Sequence, residues 1–376
     1  MADIQYLTLD SIQEGVGSSQ VLTYVQKLAK NWTIELVSFE KDFPSTGESC
    51  STSEGEFNWR PLPFGKYGQL AGLKRIWRLR KIVNKGAVIH ARGDFAAFAA
   101  IIARSKRVIW DCRALTPDQR IAAKNKSRLS IEYIVLRLIE AVCAKKSQKI
   151  IVITEKAKYF LQSRYSIKDS KFLHVSTCVD LKRFRNNPTK KVKEGQPLKI
   201  AFIGTVGPQY DLDLIGKLLE ELRKLFQVHF TVSLSPGSTK LYSNLKYDTL
   251  LSLTHREMPR FISSQDIGIS IWRQNMGVSL LSVAATKNAE FLACGKPIIV
   301  NEHQGDIGGW VRDMKTGIST SSSDPNSLKR YVQEIIELMD EGESLSNRCR
   351  ALAEKQYSLE DAVRQISKAY ESLKGN

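Results

Sequence analysis

The sequence predicts an α/β fold built from two Rossmann-like, doubly wound domains that face a cleft. A chain of 376 residues is long enough for two domains of ordinary size, each burying its own core. Residues 3–39 have the pattern of a strand, a polar loop, a helix and a second strand, which is how a doubly wound sheet opens. Residues 198–204 form a new strand that restarts this alternation.

A stretch rich in Asn, Lys and Pro separates the two halves and has the composition of a linker. The expected organisation is a first domain at 1–185, a linker at 186–197, a second domain at 198–358, and a helix at 359–376 that crosses back to the first domain.

The formal net charge of +17 constrains partners rather than fold. Nucleic acid, an anionic membrane face and a phosphorylated substrate all fit this charge. The sequence contains no zinc-finger or RNP motif, so we expect no nucleic acid and favour a membrane face together with a diphosphate substrate.

Cysteine spacing and hydropathy favour a cytoplasmic protein. The six cysteines are scattered without close pairs, which gives neither zinc spacing nor a disulfide framework. No apolar run approaches the roughly 20 residues that span a bilayer, and the N-terminal residues lack the pattern of a signal peptide. We expect a cytoplasmic location, with peripheral attachment to the inner face of the plasma membrane.

In the first half, Gly15 and Gly17 precede a helix. Glycines here let a ligand approach the backbone, although a plain flexible turn explains them equally well. Residues 41–68 contain Ser, Gly, Pro and Glu clusters and are interpreted as a long irregular loop.

Residues 69–85 are predicted to form a basic amphipathic helix. Leu73, Ile76, Trp77 and Arg80 share one face, with further lysines and arginines around it. Such a helix suits an anionic membrane surface. The alternative is a helix packed on the core with a solvated basic side.

Two strands of the first half end in polar residues. His90 and Arg92 close one strand, and Asp111 and Arg113 close the next. Ligands bind beyond the carboxyl ends of strands in open parallel sheets, so these four side chains should converge. A structural ion pair between Asp111 and an arginine is the alternative.

The helix predicted over residues 130–144 carries an apolar stripe, which we assign to the core. The stripe comprises Ile131, Ile134, Val135, Leu138 and Val142.

The stretch 285–300 carries the strongest functional pattern. Thr286 is placed to cap a helix that Gly295 ends, and a buried strand follows. Lys287 and Glu290 share one helix face near the N-terminus, where free N–H groups favour an anion. A nucleotide would bind there with its phosphate at the start and its ribose on Glu290. The alternative is a solvated surface pair.

This stretch resembles the donor-site motif of glycosyltransferases with the two-domain GT-B fold, family four: Pro-x-Lys-x-x-Glu-(Tyr/Phe)-x-Ala-x-Gly-x-Pro-(Val/Ile)-(Val/Ile). Ala285 replaces the first Pro, and the rest fits. The resemblance implies that Glu290 binds the donor ribose and that Lys287 lies beside the diphosphate. Ser282 stands where many members carry a Glu that contacts the donor sugar.

Other strings resemble the same family in the first half. The string 15–20 resembles a glycine loop near the acceptor and donor sugar, which implies roles for Gly15, Gly17 and Ser18. The His-Ala-Arg and Asp-x-Arg strings resemble loops of a subgroup. They make the four strand-end residues, His90, Arg92, Asp111 and Arg113, the candidates for the acceptor and reaction centre.

The second-half loop after residue 203 departs from the family pattern Gly-Arg-x-x-x-x-Lys-Gly. Gly204 is present, but Thr205 and Tyr210 replace the two cations that grip the diphosphate. Arg273 and Lys287 are the candidates for replacement charge. A further string, containing Gly305 and Asp306, resembles a Gly-Asp loop near the donor sugar.

The resemblance implies a retaining glycosyltransferase that moves a hexosyl group from a nucleotide-diphosphate sugar. The acceptor would be a glycan or lipid-linked molecule in surface polysaccharide synthesis, with no metal or other cofactor. A nucleotide-sugar epimerase or hydrolase on the same fold, a basic nucleic-acid-binding protein without enzyme activity, and an inactive member are the alternatives.

Overall fold

The computed structural model describes residues 2–13, 17–41, 49–52, 55–65, 71–188, 196–204, 207–234 and 245–375. The chain divides into two compact units. One comprises Met1–Val175 with Glu360–Asn376, and the other comprises Ser176–Leu359. The predicted fold class, α/β with two Rossmann-like domains, is confirmed. The division falls at 175/176, ahead of the 186–197 linker expected from composition.

The first unit is built on a mainly parallel sheet. Its strands within the described residues are β1 Ile4–Leu7, β2 Ile34–Glu40, β3 Ser49–Thr52, β4 Gly55–Pro63, β5 Val88–Arg92, β6 Val108–Cys112, β7 Lys149–Val152 and β8 Phe172–His174. Their order is β3-β4-β2-β1-β5-β6-β7-β8, and β3 alone among them pairs antiparallel. The central strands are buried on both faces, as parallel sheets covered by helices require.

The helices of this unit follow its strands. They are α1 Thr23–Leu28, α2 Ala71–Ile82, α3 Asp94–Ile102, α4 Thr116–Lys124, α5 Ile131–Lys146 and α6 Glu155–Tyr165. A π-helical turn, Ser18–Leu22, leads into α1. Side-chain caps begin two of the helices: Ser130 Oγ accepts from the Tyr133 N–H, and Thr154 Oγ1 accepts from the Ala157 N–H.

The prediction of an irregular loop over 41–68 is wrong. It contains β3 and β4, and β4 pairs parallel with β2 so that Trp59 lies opposite Leu36. Phe57 and Trp59 are buried while Asn58 between them is exposed, which is the alternation of a half-buried strand. The Ser, Gly and Pro residues of the stretch are typical of loops, and the alternating pattern of the strand is too short to outweigh them.

The assignment of the α5 stripe to the core is also wrong. Ile131 is 80% exposed and Leu138 is 62% exposed. The helix instead buries Tyr133, Leu136 and Ile139. Since α5 is apolar on two faces, helical spacing alone does not tell which face meets the sheet.

Helix α2 begins at Ala71, and the expected residues 69–70 lie outside the described part of the chain. It buries Ile76 and Leu79, whereas Leu73 and Trp77 are about half exposed. The predicted apolar face is therefore divided between core and solvent. In the described ranges, no helix is both long and apolar enough to cross a bilayer.

The second unit holds an all-parallel sheet. Its strands are β9 Leu198–Ile203, β10 Val228–Leu234, β11 Thr249–Ser252, β12 Ile267–Ser270, β13 Ile298–Asn301 and β14 Gly317–Thr320. Among the described residues their order is β11-β10-β9-β12-β13-β14. The direction in which successive strands are added reverses between β9 and β12. This is the topological switch point, where such sheets bind ligands.

The helices of the second half complete the fold. They are α7 Leu212–Arg223, α8 Met258–Ser263, α9 Thr286–Ala293, α10 Ile307–Asp313, α11 Pro325–Asp340, α12 Glu343–Tyr357 and α13 Leu359–Lys374. Helix α13, except for its first residue, belongs to the first unit. There its Ser367 Oγ accepts from Trp32 Nε1 at 3.1 Å.

The position of α9 on its sheet depends on a glycine. A Cβ at Gly268 of β12 would lie 2.6 Å from the Phe291 ring, closer than real Cβ contacts. The absent side chain therefore lets α9 approach the strand.

We expect Gly268→Ala to destabilise the protein by about 1–3 kcal/mol, because the Phe291 ring must move within a packed core. Gly309→Ala in α10 is the matched control, since an added Cβ there meets nothing within 4 Å. Urea denaturation measures both. Equal stability of the two variants would contradict the packing argument.

Candidate functional site

The start of α9 differs from the sequence expectation. Ala285 occupies the N-cap position, and Thr286 is the first helical residue with no side-chain cap bond. The backbone N–H groups of this first turn therefore lack the side-chain acceptor that was predicted for them.

Lys287 lies buried under the end of β9, which excludes the solvated-pair alternative. Its Nζ donates to the Ile203 carbonyl at 2.7 Å and to Tyr210 Oη at 3.2 Å. The same Nζ lies 3.8 Å from the centroid of the Phe202 ring and 4.2 Å from that of Tyr210. Burial lowers the pKa of Lys287 well below its usual value.

Glu290 is buried one turn further along α9, at 5% exposure. Its Oε1 lies 3.8 Å from His255 Nδ1, and the carboxylate accepts no hydrogen bond from the described residues. Burial raises the pKa of Glu290 to about 8, against the opposing charges of Arg183 and Lys287. A buried carboxyl without donors is costly, and hydroxyl donors from a ligand would relieve that cost.

Arg183 and His255 complete the surroundings of Glu290, and the sequence reasoning missed this role for both. The Arg183 guanidinium donates to the His255 carbonyl. Burial, and secondarily the Arg183 charge, lowers the pKa of His255 to about 4, so this imidazole is neutral at pH 7.

Gly204 lies directly beside Lys287, and Arg273 is linked to Lys287 through Tyr210. Gly204 has φ +113°, and a Cβ there would lie 3.9 Å from Lys287 Nζ. Arg273 Nε donates to the Tyr210 carbonyl at 3.1 Å. Thr205 lies outside the described residues. The structure therefore gathers most of the predicted diphosphate contacts around Tyr210, one of the two departures from the family loop.

Gly305 and Asp306 lie beyond the end of β13. The Gly305 N–H donates to the Leu280 carbonyl at 2.8 Å, with φ +48°. Asp306 is buried at the start of α10. The Ser282 hydroxyl donates to the Ser279 carbonyl at 3.2 Å, so the position where relatives carry a Glu is turned toward its own backbone.

In the first unit, His90 lies at the centre of a buried hydrogen-bonded chain. Its Nε2 is 3.5 Å from Asp111 Oδ2, its Nδ1 is 2.6 Å from Tyr370 Oη, and its ring stacks on Tyr6 at 4.3 Å. An ionised carboxylate only accepts, so Nε2 carries the proton and Nδ1 accepts from Tyr370. Burial lowers the pKa of His90, which keeps the ring neutral.

Asp111 lies between two arginines. Arg113 approaches its Oδ1 at 3.3 Å, and Arg92 approaches its Oδ2 at 3.6 Å. Burial by itself would raise the pKa of Asp111, but the Arg113 charge, the His90 bond and the Arg92 charge outweigh it and hold this pKa well below its usual range. The ion pairing that the sequence offered as an alternative is thus present.

The four strand-end residues of the first unit line one small pocket together with Tyr6, Gln20 and Ile366. Gln20 lies in the π-helical turn that begins at Ser18. A Cβ at Gly17 would meet the Ser11 carbonyl oxygen at 1.6 Å, so the chain's own backbone requires this glycine. Gly15 is outside the described residues. Tyr370, the hydrogen-bond partner of His90, was not identified by sequence reasoning.

Comparisons with known proteins agree with this architecture. No protein-family model matches the chain. An uncharacterized glycosyltransferase of Methanocaldococcus jannaschii, MJ1178, is 23% identical over 278 residues, covering 68% of this chain and 73% of that protein.

Solved structures share the fold. Sucrose-phosphate synthase from Thermosynechococcus elongatus aligns with a TM-score of 0.75 at 14% identity, covering 98% of each chain. Anabaena Alr3699/HepE, solved with UDP-glucose, aligns with a TM-score of 0.67 at 12% identity, covering 99% of this chain and 100% of its own. At these identities the likeness establishes a common fold of the GT-B type.

The raised pKa of Glu290 predicts a pH-dependent stability. Its folded-state pKa of about 8 lies above the ordinary 4.5, so the stability it contributes is present below pH 4.5 and is lost as pH rises to about 8. Relative to Glu290→Gln, the wild-type protein should lose about 1 kcal/mol per pH unit across this window. Urea unfolding at pH 5 to 8 measures the difference. A constant difference would contradict the assigned pKa.

Tyr370→Phe should cost about 1–3 kcal/mol, because it leaves the buried His90 Nδ1 without a donor. Tyr357→Phe is the matched control, since that buried hydroxyl makes no hydrogen bond in the described part of the chain. Thermal or urea unfolding compares the two. Tyr370 would have no such role if both variants were as stable as the wild type.

Proposed function

We propose that this protein is a glycosyltransferase that takes a sugar from a nucleotide-diphosphate donor. One observation carries the proposal: Glu290 is a buried carboxyl that accepts no hydrogen bond from the described residues, one turn into the helix at the sheet's switch point. It occupies the position of the ribose-binding Glu in the motif that 285–300 resembles. The names of MJ1178 and of the UDP-glucose complex support the same substrate class.

In the proposed donor complex, Glu290 accepts hydrogen bonds from the two ribose hydroxyls. Lys287 Nζ has three donors when protonated and uses two on Ile203 and Tyr210, which leaves one for a phosphate oxygen. The incoming diphosphate would favour the charged ammonium, whose pKa burial lowers in the free protein.

The departing diphosphate is stabilised electrostatically in this proposal. Lys287, Arg273 and the N–H groups at the start of α9, which no described side chain caps, supply the positive field. These groups replace the two cations that Thr205 and Tyr210 displace from the family loop. A metal ion is not required in this scheme, and the donor is the substrate rather than a cofactor.

We assign the acceptor and reaction centre to the pocket of His90, Arg92, Asp111 and Arg113. Neutral His90 and the two arginines hold the Asp111 carboxylate in one geometry. Transfer with retention of anomeric configuration follows from the family resemblance. Ser282 offers no carboxylate to the sugar, so Gly305 and Asp306 are the proposed sugar contacts.

The proposed setting is the assembly of surface polysaccharide on a glycan or lipid-linked acceptor, at the cytoplasmic side of the membrane. Support comes from α2, whose exposed side chains include Trp77 and several cations. This gives a basic surface that suits anionic lipid headgroups.

A thermal-shift screen against nucleotide sugars tests the proposal. We expect one nucleotide family to stabilise the wild-type protein, and Glu290→Ala to weaken that binding by roughly 10–100-fold through loss of charged hydrogen bonds. Glu334→Ala, at an exposed carboxylate on α11, is the control and should bind as the wild type does.

Two results would contradict this reading: no stabilisation by any nucleotide sugar, or equal affinity in Glu290→Ala. Donor consumption that proceeds without acceptor at the full rate would instead identify a hydrolase or epimerase. Consumption that needs an added glycan or lipid acceptor supports the transferase.

A further inference from the structure

Helix α5 and Leu129 just ahead of it expose a group of aliphatic side chains, here named the α5 face. It comprises Leu129 (86% exposed), Ile131 (80%), Ile134 (49%), Val135 (44%) and Leu138 (62%). The four helical members follow the i, i+3, i+4, i+7 spacing of one stripe. A clustered stripe of this kind is unusual on a free surface and indicates something that covers it.

The unit's own fold leaves this stripe uncovered among the described residues. The opposite side of α5 already packs inward through Tyr133, Leu136, Ile139 and Cys143. Helices α3 and α4 contact α5. The stripe is therefore a second apolar face, distinct from the one that α5 buries.

The charges around the α5 face have one sign. From residue 119 to 148, the exposed charged side chains are Arg120, Lys124, Lys126, Arg128, Lys145 and Lys146. The nearby acidic residues are all in ion pairs. Asp118 and Glu140 are buried against Arg137, and Glu132 pairs with Lys124 and Lys126. An aliphatic stripe edged by cations complements an anionic apolar boundary.

Helix α2 presents a similar surface in the same helix layer. The connections β4–β5, β5–β6 and β6–β7 all step in one direction across the sheet, so right-handed crossovers place α2, α3 and α5 on one face. Helix α3 contacts both neighbours. The exposed charges of α2, Lys74, Arg78, Arg80 and Lys81, are again all cationic, and Trp77 lies among them.

We propose that the α5 face inserts into the headgroup–acyl boundary of an anionic lipid bilayer, with the cations around it on the phosphates. A second copy of this chain fits less well, because a symmetric contact would bring two sets of cations together without exposed carboxylates between them. The inference goes beyond the basic helix considered above, since it assigns insertion to an aliphatic surface. It does not depend on transferase chemistry.

Vesicle co-sedimentation without donor or acceptor tests the proposal. Wild-type protein should bind vesicles that contain about one-third phosphatidylglycerol. It should bind pure phosphatidylcholine vesicles only weakly. Ile134→Ser combined with Leu138→Ser should weaken binding roughly tenfold or more, because two exposed aliphatic side chains lose their burial in lipid. Lys145→Gln with Lys146→Gln should weaken it several-fold and reduce its salt dependence.

Leu225→Ser is the matched control, an exposed leucine of the second unit at 64% exposure, and should bind as the wild type does. Thermal unfolding and nucleotide-sugar binding should be unchanged in all these variants, which separates this test from the donor site. The proposal is overturned if the Ile134/Leu138 variant binds vesicles like the wild type. It is also overturned if the wild-type protein does not bind anionic vesicles, and a dimer that this variant dissociates would then assign the α5 face to a second copy of the chain.

Discussion

The contact between Lys287 and the end of β9 is the constraint on which the candidate donor site depends. A buried amino group must find acceptors, and Lys287 finds them in the Ile203 carbonyl and the Tyr210 hydroxyl. The contact ties the first turn of α9 to the switch point of the second sheet. Gly268 lets the Phe291 ring sit close to β12, so the helix is fixed along its length. Glu290 then has one position, facing His255 and Arg183.

Both units bury ionisable groups, but they do so in opposite ways. Around Glu290 the structure supplies few donors, and the pKa of this carboxyl rises to about 8. Around Asp111, two arginines and His90 supply several donors, and the pKa of the Asp111 carboxyl is lowered. The first arrangement leaves hydrogen-bonding capacity for a ligand on the carboxylate. The second surrounds its carboxylate with donors and leaves Arg92 Nη1 buried without a hydrogen bond among the described residues. This contrast fits a binding role for Glu290 and a scaffold of fixed charge in the first unit.

The first unit also uses its apolar residues unevenly. Helix α3 is enclosed between neighbours, while α2 and α5 each bury one apolar face and expose another. Exposed aliphatic side chains next to unbalanced cations lower the cost of approaching an anionic lipid surface. Exposed cations therefore accompany both of the exposed apolar faces.

The sequence by itself determined the two α/β halves, the helix at 286–293 with its following strand, and the strand ends that carry His90, Arg92, Asp111 and Arg113. These are local patterns, since periodicity and glycine or proline stops act within a few residues. Only the tertiary structure decided which face of α5 is buried, that 55–63 is a strand, and that Tyr370 meets His90. Those outcomes depend on pairing between segments far apart in the chain, and no local spacing encodes which partner a face will find.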